Sequence, residues 1–216
     1  MTLRRSSSRY WSQITERYYR ARRDSLATKT LVKLLNESIG IYNPCSVLEI
    51  GSGPGLFTEN LYRKAWTVST DISRSMLEFI RHRGIKAEFV QADMEHLPFK
   101  ADSFDMIVAY RVLEYSRNGV QTLRQFSKIA PIMLVQIPRH DSVGGLMLLL
   151  YRWARFPILL LSQKSVRFKS YSLKSMTELT KRSRLSRVRI TAYNNGQDIH
   201  LVLKRKTIHR TCLHVN

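Results

Sequence analysis

Four short stretches of this sequence carry side chains that could do chemistry. Glu49-Ile-Gly51-Ser-Gly53-Pro-Gly55 follows an apolar run and sets glycines at alternate positions, where the backbone can turn sharply and approach a ligand with no Cβ in the way. Asp71 ends a second apolar run, 22 residues after Glu49, and a carboxylate there can accept hydrogen bonds from both hydroxyls of a ribose. Gln91-Ala-Asp93-Met94 closes a third, offering a carboxylate for the exocyclic amine of a purine and an apolar side chain for its face. A fourth run ends in Tyr110-Arg-Val-Leu-Glu114-Tyr115. A dinucleotide site expects G-x-G-x-x-G with a helix N-terminus aimed at a pyrophosphate. Here the third glycine is Gly55 and position 56 is Leu, so the turn fits a ligand with ribose and adenine but no pyrophosphate.

The elements that position these residues follow from the hydrophobic period. Residues 10–39 read as a helix, with Leu26, Thr30, Leu31, Leu34, Leu35 and Ile39 at three- and four-residue spacing and an end at Gly40 and Pro44. Short apolar runs at 46–50, 66–70, 87–91, 104–110 and 132–137 read as strands, with helical segments at 56–64, 74–83 and 119–129 between them. This alternation is the mark of βαβ units in a parallel sheet, because a parallel crossover needs a connection long enough to hold a helix. A helix at 173–181 precedes strands at 188–193 and 199–203, which flank Asn194-Asn195-Gly196, a sequence suited to the positive φ angles of a tight hairpin turn. The expected fold is α/β: a Rossmann-like, doubly wound, mostly parallel seven-stranded sheet that ends in an antiparallel hairpin. In such sheets ligands lie beyond the carboxyl ends of the strands, where all four stretches fall.

Composition agrees with one domain. The chain has 216 residues, of which 44% are hydrophobic, enough for a sizeable core and against wholesale disorder. Its formal net charge of +20 favours anionic partners, either nucleic acid or membrane headgroups. That charge is uneven. Residues 1–23 hold seven basic side chains and one acid; Gly40 to Tyr110 holds seven basic and nine acidic; Lys164 to Lys206 holds twelve basic and two acidic. The middle of a basic protein is acidic. Two cysteines, Cys45 and Cys212, are too few for a disulfide framework, and the start MTLRRSSSRYW has no apolar stretch behind its charges, so a cytoplasmic location is expected.

Taken together, VLEIGSGPG, STDIS, VQADMEHLPF and FDMIVAYRVLEY resemble the class I S-adenosylmethionine-dependent methyltransferases, in particular the single-domain small-molecule group. The resemblance covers roughly residues 45–137. It implies that Gly51, Gly53 and Gly55 line the methionine part of the cofactor S-adenosyl-L-methionine and that Glu49 supports its ammonium. It further implies Asp71 at the ribose, Ile72 against the adenine, Asp93 at the adenine amine, Met94 on the ring, and the Tyr110 backbone near the sulfonium. The acidic middle agrees, since that cofactor carries a sulfonium and an ammonium.

An aligned nucleophile is the main need of methyl transfer from a sulfonium by in-line displacement, and a hydroxyl nucleophile also needs a base. His140, after the fifth strand, is the favoured base; Glu114, Tyr115 and His96 are the other candidates. No metal is expected. His209, Cys212 and His214 lie close together in a terminal tail, and where some quinone-precursor relatives have Glu-x-x-Glu-His this chain has Arg111, Glu114 and Tyr115.

Residues 146–161 read LMLLLYRWARFPILLL, a poor membrane span because Arg152, Arg155 and Pro157 interrupt it. It reads either as a helix capping the core or as an interfacial segment, with aromatic side chains beside arginines and a basic stretch downstream. The chain therefore divides into a basic N-terminal arm (1–40), a cofactor-binding core (45–137), an apolar and basic insertion (141–172), a final helix and hairpin (173–206) and a tail (207–216). The leading expectation is a methyltransferase acting on a small, apolar or lipid-like acceptor, peripheral at the inner membrane face. Two alternatives stay open: a nucleic-acid methyltransferase using the basic arm and tail, and a non-catalytic binding protein of the same fold.

Overall fold

The computed structural model of the chain describes residues 14–139, 141 and 171–206. His140, the 146–161 segment and the His209, Cys212 and His214 tail lie outside the described residues.

The strands are β1 (Ser46–Ile50), β2 (Trp66–Asp71), β3 (Glu88–Gln91), β4 (Met106–Tyr110), β5 (Ile132–Pro138), β6 (Leu185–Tyr193) and β7 (Asp198–Arg205). The helices are α1 (14–22), α2 (Leu26–Tyr42), α3 (Thr58–Leu61), α4 (Arg74–His82), α5 (Gly119–Ile129) and α6 (Leu173–Arg182). One seven-stranded sheet has the order β3-β2-β1-β4-β5-β7-β6. Strands β1 to β5 pair in parallel, and β7 runs antiparallel to both β5 and β6. The doubly wound sheet with a terminal hairpin is the architecture the sequence predicts.

Both faces of the sheet are covered, as its near-continuous apolar strands require. On one face Leu48, Ile107, Met133, Val135 and Leu201 pack with Leu123 and Phe126 of α5 and Met176 of α6. On the other, Val47, Met106, Val108, Leu134 and Val202 pack with Leu31, Leu34, Leu35 and Ile39 of α2.

Several boundaries depart from the sequence reading: β4 begins at Met106 and not at 104, β6 begins at Leu185 and not at 188, and the helices differ more. The helix expected over 10–39 is two helices, because the Ser25 side chain caps the N-terminus of α2, accepting from the Thr28 N–H at 3.2 Å. Helix α2 then runs through Gly40 to Tyr42 and stops at Asn43, which takes the left-handed conformation with φ 42° and returns its N–H to Ile39. The helix expected over 56–64 is the single turn of α3. At the hairpin, Asn194, Asn195 and Gly196 all have positive φ, at 53°, 53° and 77°.

Helix α1 docks on α4, with Tyr19 edge-on to Phe79 at 5.5 Å and the Arg83 guanidinium 4.2 Å above the Tyr19 ring. Beyond β5, Arg139 forms an isolated bridge with Tyr171, Tyr171 N–H donates to Pro138 at 3.1 Å, and Leu173 N–H donates to Asp141 Oδ2 at 3.1 Å.

Candidate active site

The sheet reverses its winding between β1 and β4, so a crevice opens at their carboxyl ends. The turn that leaves β1 is built from positive-φ glycines: Gly51 at 67°, Gly53 at 53° and Gly55 at 81°. They do different work. A Cβ on Gly51 would lie 2.6 Å from the Val112 side chain, and one on Gly55 would lie 2.8 Å from Ile80, so at both places the protein's own packing fills the space. A Cβ on Gly53 would meet nothing within 4 Å, which leaves its backbone open to a ligand.

Around that turn stand the acids the sequence singled out. Glu49 is buried at the end of β1, where Oε2 accepts from Thr58 Oγ1 at 2.6 Å and from Ser69 Oγ at 2.7 Å. Burial pushes its carboxyl up to about 7 against the pull of those two hydroxyls, so the group holds its proton more readily than a surface glutamate. Asp71 closes β2 with Oδ2 accepting from the Gly53 N–H at 2.9 Å and Oδ1 from the Ser73 N–H at 2.8 Å. Burial raises its pKa, and the two N–H groups oppose the rise. Ile72, next to it, is half-buried, and the Gln91 amide donates to its carbonyl at 3.0 Å. At the end of β3, Asp93 Oδ1 accepts from the Glu95 N–H at 3.0 Å, while Met94 packs on the core.

Tyr110 ends β4 with its hydroxyl 2.8 Å from His200 Nε2 of β7 and its ring edge-on to Phe57 at 4.9 Å. Beside it lies a buried polar group. Arg111 has a φ of 57°; its Nη1 donates to Asp198 Oδ1 at 3.1 Å and its Nε lies 3.4 Å from Glu114 Oε1. Gln136 donates to the same Asp198 oxygen at 2.8 Å, and Asn194 donates to Asp198 Oδ2 at 2.9 Å. Of the candidate bases, Glu114 belongs to this group and is fully buried, Tyr115 is half-buried and His96 is exposed. A cleft of about 380 Å³ bordered by Gly55, Tyr19 and Arg83 separates α1 from the turn.

The structure thus brings Glu49, Gly53 and Asp71 together and sets Tyr110 at the neighbouring strand end. Sequence reading missed Ser52, Thr58, Ser69, Gln136, Asp198 and His200. Of these, Ser52 carried a signal, since a hydroxyl between two glycines of a ligand turn is placed to be used. Its Oγ is buried with no hydrogen bond. A buried hydroxyl without a partner, an open glycine and two carboxylates at one strand rim form a donor and acceptor set that fits an adenosyl amino acid. Among the described residues no group of three His, Cys, Asp or Glu is placed to hold a metal, and no helix is long and apolar enough to cross a membrane.

Comparison with known proteins agrees with this geometry. The methyltransferase domain family model matches residues 48–130, the part of the chain that holds β1 to β4 and α5. Among curated relatives, the malonyl-[acyl-carrier protein] O-methyltransferase of Legionella pneumophila is 34% identical over 92 residues, covering 40% of this chain and 32% of that protein. The ubiquinone/menaquinone biosynthesis C-methyltransferase UbiE of Wigglesworthia glossinidia brevipalpis is 33% identical over 97 residues, covering 40% of this chain and 38% of that one. The chain therefore spans about a third of the length of these relatives. The magnesium protoporphyrin IX methyltransferase of Synechocystis, solved with S-adenosylhomocysteine, has a similar fold, with a TM-score of 0.64, 15% identity and coverage of 83% and 82% of the two chains.

Proposed function

We propose that this chain transfers a methyl group from S-adenosylmethionine to a small organic acceptor. The observation that carries the reading is the Gly53 backbone, open on one side and tied on the other to the Asp71 carboxylate. When bound, the donor supplies an activated methyl on a sulfonium sulfur. The chain's own contribution is to bind and to align, and alignment alone can supply about 7–11 kcal/mol of a barrier. In this reading Gly51, Gly53 and Gly55 shape the turn around the methionine part, Ser52 Oγ donates there, and Glu49 answers the ammonium. Asp71 takes the ribose hydroxyls, Ile72 and Met94 enclose the adenine, Asp93 meets its amine, and the Tyr110 backbone faces the sulfonium. His140 remains the proposed base for a hydroxyl acceptor.

The acceptor we infer is apolar or lipid-like and is reached at a membrane surface. Support comes from the Leu-rich 146–161 sequence beside a basic stretch and from the relative named for ubiquinone and menaquinone biosynthesis. Calorimetry with S-adenosylmethionine tests the first step, and absence of binding at millimolar ligand overturns the enzyme reading. Incubation with labelled donor and fractionated lipid, RNA and metabolite extracts then finds the acceptor class. Label entering RNA alone replaces the lipid reading. Co-sedimentation with anionic vesicles, with and without residues 144–163, tests the membrane part, and equal binding of the two forms removes it.

A further inference from the structure

Arg111 is the one positively charged side chain among the described residues that sits at the β4 rim with two buried carboxylates around it. Its position is built at some cost. A non-glycine residue at φ 57° is held in a sparsely populated region, and such strain gathers where a side chain must be aimed. The aim is fixed from two directions: Asp198 at the start of β7 takes Nη1, and Glu114 of the 3₁₀ turn (Leu113–Tyr115) faces Nε. Asp198 is itself held by Gln136 and Asn194. The remaining Nη2 edge has no hydrogen bond among the described residues, and the side chain keeps 30% of its surface exposed while Glu114 keeps none. A guanidinium held through Nη1 and Nε keeps the two N–H groups of Nη2 to donate, and these suit a carboxylate oxygen.

We propose that Arg111 is the acceptor-binding residue of this methyltransferase and that it takes a carboxylate carried by the acceptor, with Glu114 and Asp198 as its positioning residues. The inference rests on the methyltransferase reading above and deepens it: an apolar acceptor with a carboxylate is an amphiphilic acid. With Asp198 and Glu114 both ionised, the cluster is already one charge negative before any acid arrives. Neither Glu114 oxygen has a hydrogen bond, although both are buried, which is the setting in which a carboxyl keeps its proton. Burial lifts Glu114 to about 7, Arg111 opposes and Asp198 adds to the rise. The other charged or titratable groups facing the cluster are Tyr18 and Arg22 of α1, Tyr115, Tyr171 and Tyr193. Glu114 is the group of this cluster placed to take up a proton when a carboxylate binds.

The experiment is calorimetry of hexanoate, with hexanamide as its uncharged counterpart, on protein saturated with S-adenosylhomocysteine. Hexanoate is expected to bind and hexanamide to bind at least tenfold more weakly, with hexanoate about three- to tenfold tighter at about pH 6 than at about pH 8. Arg111→Gln is expected to erase the preference for the acid while S-adenosylhomocysteine binds within about twofold of wild type. Glu114→Gln, a neutral isostere of the protonated carboxyl, is expected to keep the preference and lose the pH dependence. If S-adenosylhomocysteine itself does not bind wild type, the methyltransferase reading falls. If it binds but hexanoate and hexanamide are equal, or Arg111→Gln changes nothing, only the carboxylate subsite falls. Should Arg111→Gln fail to fold, the wild-type acid preference and its pH dependence in Glu114→Gln decide the matter, and persistence of that dependence overturns the role of Glu114.

Discussion

Asp71 Oδ2 receives the backbone N–H of Gly53 at 2.9 Å, so the acid at the end of β2 holds the turn at the end of β1. One carboxylate therefore shapes the open part of the candidate site. Charged hydrogen bonds of this kind contribute about 1.5–3 kcal/mol. Asp71→Asn is expected to weaken S-adenosylmethionine binding about 10- to 100-fold, read by calorimetry. An unchanged affinity would mean that the ribose is held elsewhere.

The three glycines of the turn should separate by their surroundings. Gly53→Ala bears mainly the left-handed backbone penalty of about 1–2 kcal/mol. Gly51→Ala and Gly55→Ala add collisions with Val112 and Ile80, and overpacking costs a further ~1–3 kcal/mol. Urea unfolding of the three variants measures this order, and Gly53→Ala as the most damaging of the three for stability would contradict it. Ligand binding should rank the other way, with Gly53→Ala losing more affinity for its loss of stability.

Glu49 gives a pH signature. Its folded pKa of about 7 lies above the ordinary 4.5, so between these values the native state binds a proton that the unfolded chain gives up. Stability from this group therefore falls as pH rises from about 4.5 to about 7, by an amount on the order of 3 kcal/mol. Glu49→Gln is expected to unfold at a higher temperature than wild type at about pH 8 and to lose that advantage near pH 5. Equal melting temperatures at both pH values would rule out the raised pKa.

His200 pulls the opposite way. Burial lowers its pKa from 6.5 to about 4, so the unfolded chain takes up a proton that the folded one refuses, and stability is lost as pH falls through that interval. His200→Gln should remove this acid sensitivity in a melting series. Tyr110→Phe leaves His200 Nε2 without its hydroxyl partner, on a ring whose Nδ1 already has none, and is expected to cost about 1–3 kcal/mol at neutral pH.

How far the sequence alone reaches depends on the distance over which each feature is encoded. Strand β1 was legible residue for residue, because Ser46–Ile50 is a short apolar run cut by Gly51, and α5 spans the same residues, 119–129, that the sequence assigns to a helix. The break at Ser25 was missed, since the apolar spacing on either side hides a capping residue in a basic stretch. The rim of the candidate site could be read from glycines and acids that each follow their own strand. The polar cluster could not. Tyr110 meets His200 and Arg111 meets Asp198 only because β7 enters the sheet beside β5 with Gln136 opposite His200, and no local pattern encodes that register.

The bonds that join Pro138 to Tyr171 and Asp141 to Leu173 tie the two ends of residues 142–170 together at the rim. Both knots are made at the carboxyl end of β5, on the same rim as the candidate site. Doubling the number of residues between two fixed points adds only about 0.6 kcal/mol of closure entropy, so the seven strands tolerate insertions and deletions there.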